Sequence, residues 1–311
     1  MRLNTLGEVA LIERLAKKIK VDKTVIKGIG DDCAVIRLSK KKLLLLTIDM
    51  LIEGVHFKVK EASPFQIGWK SLACGISDIA AMGGIAKYAV VSLGLPKGLS
   101  VEFVDGIYDG INSLGRCFDV KIIGGDTNSS KVLVIDVAVL GFVEPNRLIT
   151  RSGAKVGDII CVTGALGGSY KSGRHLKFVP RLKEARALVK NYKINSLIDL
   201  SDGLSTDLNH IATESKVGAC IYKELIPISK DASSFDAALN EGEDFELLFT
   251  LPVIEARRLA TKKLSGIKLP ITQIGEIVDK KIGVKIIDRF SRVKELKPKG
   301  FEAFLNGRYF K

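Results

Sequence analysis

Aspartates end or follow apolar segments at several places in this chain, and this pattern is the first indication of chemistry. One lies in the glycine turn of GIGDDCAVI (28–36), and another lies on the apolar helix face of GISDIAAMGG. A lone carboxylate is costly to bury at such positions, so each one requires a partner. The residues concerned are Asp32, Asp49, Asp78, Asp126, Asp199 and Asp202.

A structural role is the alternative for each aspartate taken singly, because an Asx turn or helix cap satisfies a carboxylate with its own backbone. Asp202, for example, precedes a glycine and a predicted helix, as an ordinary N-cap does. The recurrence of the pattern favours a shared partner instead. Mg²⁺ takes oxygen ligands from a few carboxylates and from substrate phosphates. The sequence therefore predicts several Mg²⁺ ions that hold a polyphosphate.

The glycine turns do not match the common phosphate-binding motifs. In GIGDDC, Cys33 stands where a dinucleotide-binding fingerprint has its third glycine, and the adjacent acids would repel a bare pyrophosphate. No G-x-x-x-x-G-K-[ST] motif occurs, and the nearest stretch, GALGGSYKSG at 164–173, has the wrong spacing. Phosphate binding at these turns would therefore depend on metal ions.

Composition limits the function classes. The chain has 311 residues with 46% hydrophobic content and scattered cysteines without a C-x-x-C pair, which favours a globular protein of a reducing cytoplasm and disfavours a zinc knuckle. We expect no membrane partner, because no apolar run reaches 18 residues and the N-terminus has a helical period. The net charge of +13 comes from dispersed lysines, so we expect no nucleic-acid partner.

Alternating apolar strands and amphipathic helices predict two α/β domains, 1–148 and 149–311, joined near 145–155. The strands at 43–51, 87–95 and 131–143 are too apolar for one exposed face, which predicts a homodimer that buries them. Further strands are predicted at 120–126, 242–251, 271–278 and 283–288, and a strand followed by a turn at 159–168. Helices are predicted at 6–20, 64–84, 100–118 and 252–264. Residues 196–215 are predicted to form a strand, a turn and a helix.

Seven segments, in order, resemble the thiamine-monophosphate kinase family, which is related to aminoimidazole ribonucleotide synthetase and selenophosphate synthetase. The resemblance covers about residues 5 to 305. A closing KPKGFEAF also resembles the end of this kinase rather than of its relatives. The segments are GIGDDCAVI, TIDMLIEGVHF, GWKSLACGISDIAAMGG, IIGGDT, LITRSGAKVGD, IDLSDGLSTDLNHIA and EGEDFELLFT.

The resemblance implies an N-terminal α/β domain whose strands form a β-barrel in a dimer, a C-terminal α/β domain, and ATP in the cleft between them. It implies Mg²⁺-assisted, direct in-line transfer of phosphoryl from ATP to thiamine monophosphate. Implied metal ligands are Asp32, Thr47, Ile48, Asp49, Asp78, Asp126, Asp199 and Asp202. Implied ATP contacts are Gly125, Asp126, Arg151 and Ser201, of which Asp126 and Arg151 are expected to be catalytic together with Asp49. Implied contacts to thiamine monophosphate are His56, Glu243 and Phe301.

Three positions depart from the family pattern. Ile48 replaces a threonine or serine, so only its backbone carbonyl could contact a metal. Glu241 replaces a glycine, and Gly168 replaces a common aspartate. Two alternatives stay open: another ATP-using enzyme of the superfamily, such as an amidine-forming synthetase or maturation protein, and a non-enzymatic nucleotide-binding protein. Cys33 follows the acids instead of preceding them, which disfavours selenophosphate synthesis.

Overall fold

The computed structural model of the chain describes residues 2–262, 267 and 269–304. It has two mixed sheets with helices packed on them, which confirms the two-domain α/β prediction. No helix among these residues is long and apolar enough to cross a membrane. The boundary predicted at 148/149 stays a prediction; residues 144–158 connect the last strand of the first sheet to the first strand of the second.

The first sheet has six strands in the order β1-β2-β3-β6-β4-β5, and only β4 and β5 pair in parallel. Its long strands alternate buried and exposed residues, because one face packs on helices and the other does not. Within the described residues this sheet is open rather than closed into a barrel. The strands are β1 (Val25–Lys27), β2 (Ala34–Arg37), β3 (Leu43–Ile52), β4 (Ile85–Leu95), β5 (Lys121–Ser129) and β6 (Val134–Val143).

Two long helices, α3 (Pro64–Ala81) and α4 (Val101–Phe118), pack on each other, and α3 covers the buried face of the first sheet. α3 begins with a capping box, in which Ser63 and Gln66 exchange side-chain and backbone hydrogen bonds. It ends shortly before Gly83, whose φ of +68° is favoured by glycine, within the helical range predicted at 64–84. Ahead of the first strand lie α1 (Leu3–Leu6) and α2 (Glu8–Ala16), so the helix predicted at 6–20 is confirmed over residues 8–16 but is shorter than predicted and follows a separate short helix.

The second sheet has seven strands in the order β13-β12-β9-β11-β7-β10-β8, and only β9 and β12 pair in parallel. The edge strand Ser196–Asp199 and its neighbour Leu247–Leu251 are buried along their whole length. The strands are β7 (Ile159–Thr163), β8 (Ser196–Asp199), β9 (Gly218–Tyr222), β10 (Leu247–Leu251), β11 (Ile271–Val278), β12 (Val284–Ile287) and β13 (Val293–Glu295). The helices are α5 (Leu182–Asn191), α6 (Leu204–Ser215), α7 (Phe235–Asn240) and α8 (Val253–Thr261).

The strand predicted at 242–251 begins five residues late, at Leu247. The preceding residues form a turn in which Gly242, Glu243 and Phe245 have φ of +71°, +55° and +49°. Positive φ at two non-glycine residues is uncommon and requires support from tertiary contacts. We name residues 241–246 the acid turn. α5 and β9 were not predicted.

Candidate functional site

Three aspartates from separate elements meet between the two sheets. Asp32 precedes β2, Asp78 lies in α3 and Asp199 ends β8, and one carboxylate oxygen of each lies within 4.8 Å of the others. The glycine turn before Asp32 includes Gly30 at φ +107°, which lets the chain bend toward α3. These three residues and Asp49 are named the acid cluster.

Asp49 and Thr47 join this group from β3. Thr47 Oγ1 donates a hydrogen bond of 2.5 Å to Asp78 Oδ2, and Asp49 lies close enough for its charge to act on Asp78. Burial raises the pKa of Asp49 to about 6, and the charges of Asp136 and Asp32 add to the rise.

The acid cluster resists full ionisation. Burial, followed by the charge of Asp32, raises the pKa of Asp199 to about 8, although Ser77 Oγ donates to Asp199 Oδ2 at 2.6 Å. Burial and the charge of Asp49 hold the pKa of Asp78 well above its ordinary value. Buried like charges at this spacing favour either protons or a bound cation.

Arg151 is the cation that contacts the acid cluster directly. Its Nη2 and Nε donate to Asp32 Oδ1 at 2.6 and 3.2 Å, and its backbone N–H donates to Asp31 Oδ1 at 3.1 Å. Both side-chain bonds use the same oxygen. Among the described residues, Asp32 Oδ2 and Asp49 Oδ2 are buried and accept no hydrogen bond. A set of oxygen ligands that includes buried oxygens without hydrogen bonds fits a hard cation such as Mg²⁺.

Ser201 and Asp202 lie on the loop after β8. The Ser201 carbonyl accepts from Glu243 N–H at 2.7 Å, and the Asp202 carbonyl accepts from Phe301 N–H at 3.1 Å. Burial raises the pKa of Asp202 to about 7. Asp202 also lies within 4.8 Å, oxygen to ligand atom, of Asp207 and His210. The loop therefore links the metal-ligand candidates to the substrate-contact candidates.

Asp126 does not reach the acid cluster within one chain. Its partner on β4 is Ser92, which pairs in turn with Asp136 on β6, whereas the row of Asp49 runs through Val137 and Val91 to Gly125. Because cross-strand partners share a face and successive residues alternate, Asp126 lies on the opposite face from Asp49. Gly125 shares the face of Asp49 but lies three strands away.

Ile48 also points away from the acid cluster. Its side chain is 65% exposed on the face opposite Thr47, which is 7% exposed. A contact of Ile48 with a metal could therefore involve only its backbone, as the sequence predicted.

His56 follows β3 and is held as a neutral ring. Its Nδ1 accepts from Ile52 N–H at 3.0 Å, which leaves the proton on Nε2. Burial, together with the charge of Lys70, lowers the pKa of His56 to about 4. The His56 and Phe301 ring centroids are 6.0 Å apart, so these two candidate contacts lie side by side.

Glu243 is 3% exposed in the acid turn and pairs with Lys70, whose ammonium also donates to the His56 carbonyl at 2.8 Å. Two further acids of this turn are paired with cations: Asp244 with Arg174, and Glu246 with Arg181. None of these three cations was predicted as a site residue from the sequence. For Lys70, a lysine inside the apolar segment GWKSLACGISD was the available signal.

Two departures from the family pattern contact each other. Glu241 Oε2 accepts from Gly168 N–H at 2.6 Å, and Gly168 has φ +71°. Where the family commonly has an aspartate, this chain has Gly168, and the carboxylate of Glu241 contacts the Gly168 backbone instead.

Known proteins resemble this chain over nearly all of its length. The AIR synthase related protein family matches residues 30–143 with its N-terminal domain and 155–287 with its C-terminal domain. The thiamine-monophosphate kinase of Buchnera aphidicola subsp. Schizaphis graminum is 37% identical over 316 aligned positions, covering 92% of this chain and 95% of the relative. That of Bacillus subtilis strain 168 is 34% identical over 326 positions, covering 96% and 100%.

A solved structure, AaThiL complexed with AMPPCP and TMP, superposes with a TM-score of 0.83 at 32% identity and covers 97% of this chain and 98% of its own. Shared sequence, shared fold and the acid cluster agree on one assignment. The chain belongs to the thiamine-monophosphate kinase family.

Proposed function

We propose that this chain transfers the γ-phosphoryl group of ATP to thiamine monophosphate (TMP) and so makes thiamine diphosphate. The observation that carries the proposal is the acid cluster, with its buried oxygens on Asp32 and Asp49 that accept no hydrogen bond from the described residues. The relatives named above support the choice of reaction, since one was solved with AMPPCP and TMP.

Mg²⁺ is the proposed cofactor, because the available donors are carboxylate, hydroxyl and carbonyl oxygens. When bound, Mg²⁺ neutralises phosphate charge and aligns the phosphoryl donor with its acceptor. The proposed ligands are Asp32, Asp49, Asp78, Asp126, Asp199 and Asp202, with Thr47 and the carbonyl of Ile48.

Arg151 supplies a fixed cation for the ATP phosphates. Asp32 orients its guanidinium and Asp31 holds its backbone, so the side chain is placed before ATP binds. A planar guanidinium suits phosphate oxygens. Gly125 and Ser201 are the proposed backbone and hydroxyl contacts to the nucleotide, and ATP occupies the cleft between the domains.

TMP is proposed to lie against His56, Glu243 and Phe301. The neutral His56 ring can donate from Nε2 to the substrate phosphate at neutral pH. The phosphate of TMP is largely dianionic there, since its second pKa is about 6, and it attacks ATP without a protein base. Incubation with γ-labelled ATP and Mg²⁺ without TMP should therefore leave no stoichiometric label on the protein. A label that is chased into product would contradict direct transfer.

A homodimer is proposed to complete the site. The uncovered face of the first sheet exposes several large apolar side chains, including Leu46, Ile48 and Met50 at 41%, 65% and 52%. A second copy covering this face would form the barrel implied by the family. Because Asp126 lies on that face, we propose that it serves the acid cluster of the second copy, together with its chain neighbour Gly125 on the edge strand β5.

The function is tested by incubating the purified chain with ATP, Mg²⁺ and TMP. We expect thiamine diphosphate and ADP in equal amounts, measured by chromatography, and no product when thiamine replaces TMP. ADP release without thiamine diphosphate would favour another enzyme of the superfamily, and nucleotide binding without turnover would favour a non-enzymatic protein.

The assembly is tested by light scattering and by mixing inactive variants. We expect a dimer mass at micromolar protein. If Asp126 acts across the dimer, co-refolded Asp49→Asn and Asp126→Asn chains should regain about a quarter of wild-type activity through symmetric exchange of subunits. A monomer mass contradicts the dimer, and no recovery in a confirmed mixed dimer places Asp126 in its own chain's site.

A further inference from the structure

Lys70 is a fully buried cation in the middle of α3, with 0% exposure. Lysine is almost never fully buried without a partner, because its ammonium loses strong hydration. Two partners are present: the His56 carbonyl, which accepts from Nζ at 2.8 Å, and the Glu243 carboxylate. One ammonium therefore joins a turn of the first half to the acid turn of the second.

Glu243 is held at both its backbone and its side chain. Its N–H donates to the Ser201 carbonyl at 2.7 Å, and its carbonyl accepts from Ser169 Oγ at 2.6 Å. Its φ of +55° is unfavourable for a residue with a side chain. The backbone hydrogen bonds fix the position of the Glu243 main chain, and the ion pair with Lys70 fixes the position of its carboxylate.

The neighbouring residue Trp69 serves the docking of the two halves by other means. Its Nε1 donates to the Phe178 carbonyl at 2.8 Å, and the Phe178 ring stacks on Phe245 with centroids 3.8 Å apart. Apolar packing and this hydrogen bond already attach α3 to the acid turn. A buried ion pair adds little stability compared with apolar residues of similar volume. Stability therefore does not explain Lys70, and a role in positioning does.

We infer that Lys70 is a positioning residue for TMP: its ammonium holds the Glu243 carboxylate and the His56 turn in fixed relation across the two halves of the site. The inference rests on the proposed function, because it takes Glu243 and His56 as TMP contacts. Lys70 itself lies beneath them and does not touch the reacting atoms. Its loss should impair TMP binding and spare ATP binding.

The test is steady-state kinetics on Lys70→Met, Lys70→Arg, Glu243→Gln and the double variant Lys70→Met/Glu243→Gln. We expect Lys70→Met to raise KM for TMP at least ~10-fold, the size of one lost charge-assisted contact, with KM for ATP within about 2-fold. Lys70→Arg should recover part of the loss. Lys87→Met, which breaks a surface pair with Asp119, is the matched control and should behave as wild type.

Lys70→Met leaves Glu243 as an uncompensated buried charge, so this variant can fail to fold. The double variant removes both charges and keeps the inference testable. If Lys70 acts through Glu243, the double variant should raise KM for TMP less than about 3-fold beyond Glu243→Gln alone.

Equal rises in the two KM values, or independent effects that multiply in the double variant, would overturn the positioning role. Wild-type turnover is measured in the same assay. If the wild type fails, the proposed function fails; if the wild type works and Lys70→Met keeps its KM for TMP, only the inference on Lys70 fails.

Discussion

Two groups of buried or half-buried carboxylates lie in this site, and they differ in what faces them. In the acid turn, each of Glu243, Asp244 and Glu246 faces a lysine or arginine of the same chain. In the acid cluster, Arg151 reaches only Asp32, and the remaining carboxylates face mainly one another. These three acids are thus neutralised internally, whereas the cluster needs protons or an external cation.

Burial raises pKa values in both groups, so burial alone does not separate them. The pKa of Asp244 is raised to about 7 by burial, and Arg174 opposes the rise. The pKa of Asp199 is raised to about 8 by burial, and the charge of Asp32 adds to the rise. The sign of the neighbouring charge is what distinguishes a structural acid from a candidate metal ligand.

The largest expected effect concerns the stability of the acid turn. Arg181 donates to both oxygens of Glu246, at 2.5 and 2.8 Å, and Glu246 is 1% exposed. Arg181→Met leaves this carboxylate uncompensated, so we expect the free energy of unfolding to fall by about 3 kcal/mol in urea titrations. Arg181→Met/Glu246→Leu, without the buried charge, should recover much of the loss. An unchanged midpoint would show that the turn does not depend on its cations.

The next effect concerns catalysis in the acid cluster. Asp49→Asn is expected to keep the fold but lower kcat at least ~100-fold, the scale of losing one major electrostatic stabiliser of the transition state. Added Mg²⁺ should restore little, because ligand geometry is lost as well as charge. Asp158→Asn is the matched control, because Asp158 is a buried aspartate away from the cluster and Asn195 donates to both of its oxygens. Full activity in Asp49→Asn would remove Asp49 from the proposed ligands.

The difference between the two groups also decided what the sequence could predict. The acid cluster consists of aspartates at the ends of apolar elements, and apolar periodicity located β3, α3 and β8 well enough to predict that their aspartates meet. The acid turn looked like the start of a strand. Its conformation depends on Lys70, Arg174 and Arg181, which lie far from it in sequence and whose pairing no local pattern specifies.

The face of the sheet on which Asp126 lies was a second feature that the sequence could not predict. The strand order β3-β6-β4-β5 and the pairing register are properties of the whole sheet. A shift of one residue in the register moves every side chain of a strand to the opposite face. Sequence spacing alone therefore could not separate Asp126 from Asp49. In contrast, α5 was missed although Leu182, Ala185, Leu188 and Val189 have a helical spacing that could have revealed it.

A smaller effect is expected where the two regions meet at the substrate. The Phe301 N–H donates to the Asp202 carbonyl, and the Phe301 ring lies beside His56. The His56 carbonyl in turn accepts a hydrogen bond from Lys70. Stacking on the thiazolium cation predicts that Phe301→Ala raises KM for TMP about 5- to 30-fold and leaves KM for ATP nearly unchanged. Phe290→Ala removes a 64% exposed ring elsewhere and serves as the control. Equal changes in both KM values would assign Phe301 to general packing.

The smallest expected effect is a pH-dependent stabilisation by Mg²⁺. Asp199 and Asp202, whose pKa values burial raises to about 8 and about 7, hold protons that a metal must displace. Carboxyl groups with raised pKa stabilise the fold at low pH and lose that contribution as pH rises through the folded value. The histidines, with pKa values lowered to about 4 mainly by burial, act oppositely but only below about pH 6.5. The window from pH 6.5 to 8 therefore reports on the acids.

Without Mg²⁺, the melting temperature should fall across this window; with millimolar Mg²⁺ it should fall less. The gain from Mg²⁺ at pH 8 should exceed that at pH 6.5 by about 1 kcal/mol, or roughly 2–4 °C by calorimetry. Asp244 of the acid turn titrates in the same range with or without the metal, so subtracting the two curves cancels its contribution. Asp199→Asn should shrink the pH dependence of the gain, whereas Arg174→Met should leave it intact. A gain independent of pH would mean that Mg²⁺ does not displace protons from the acid cluster.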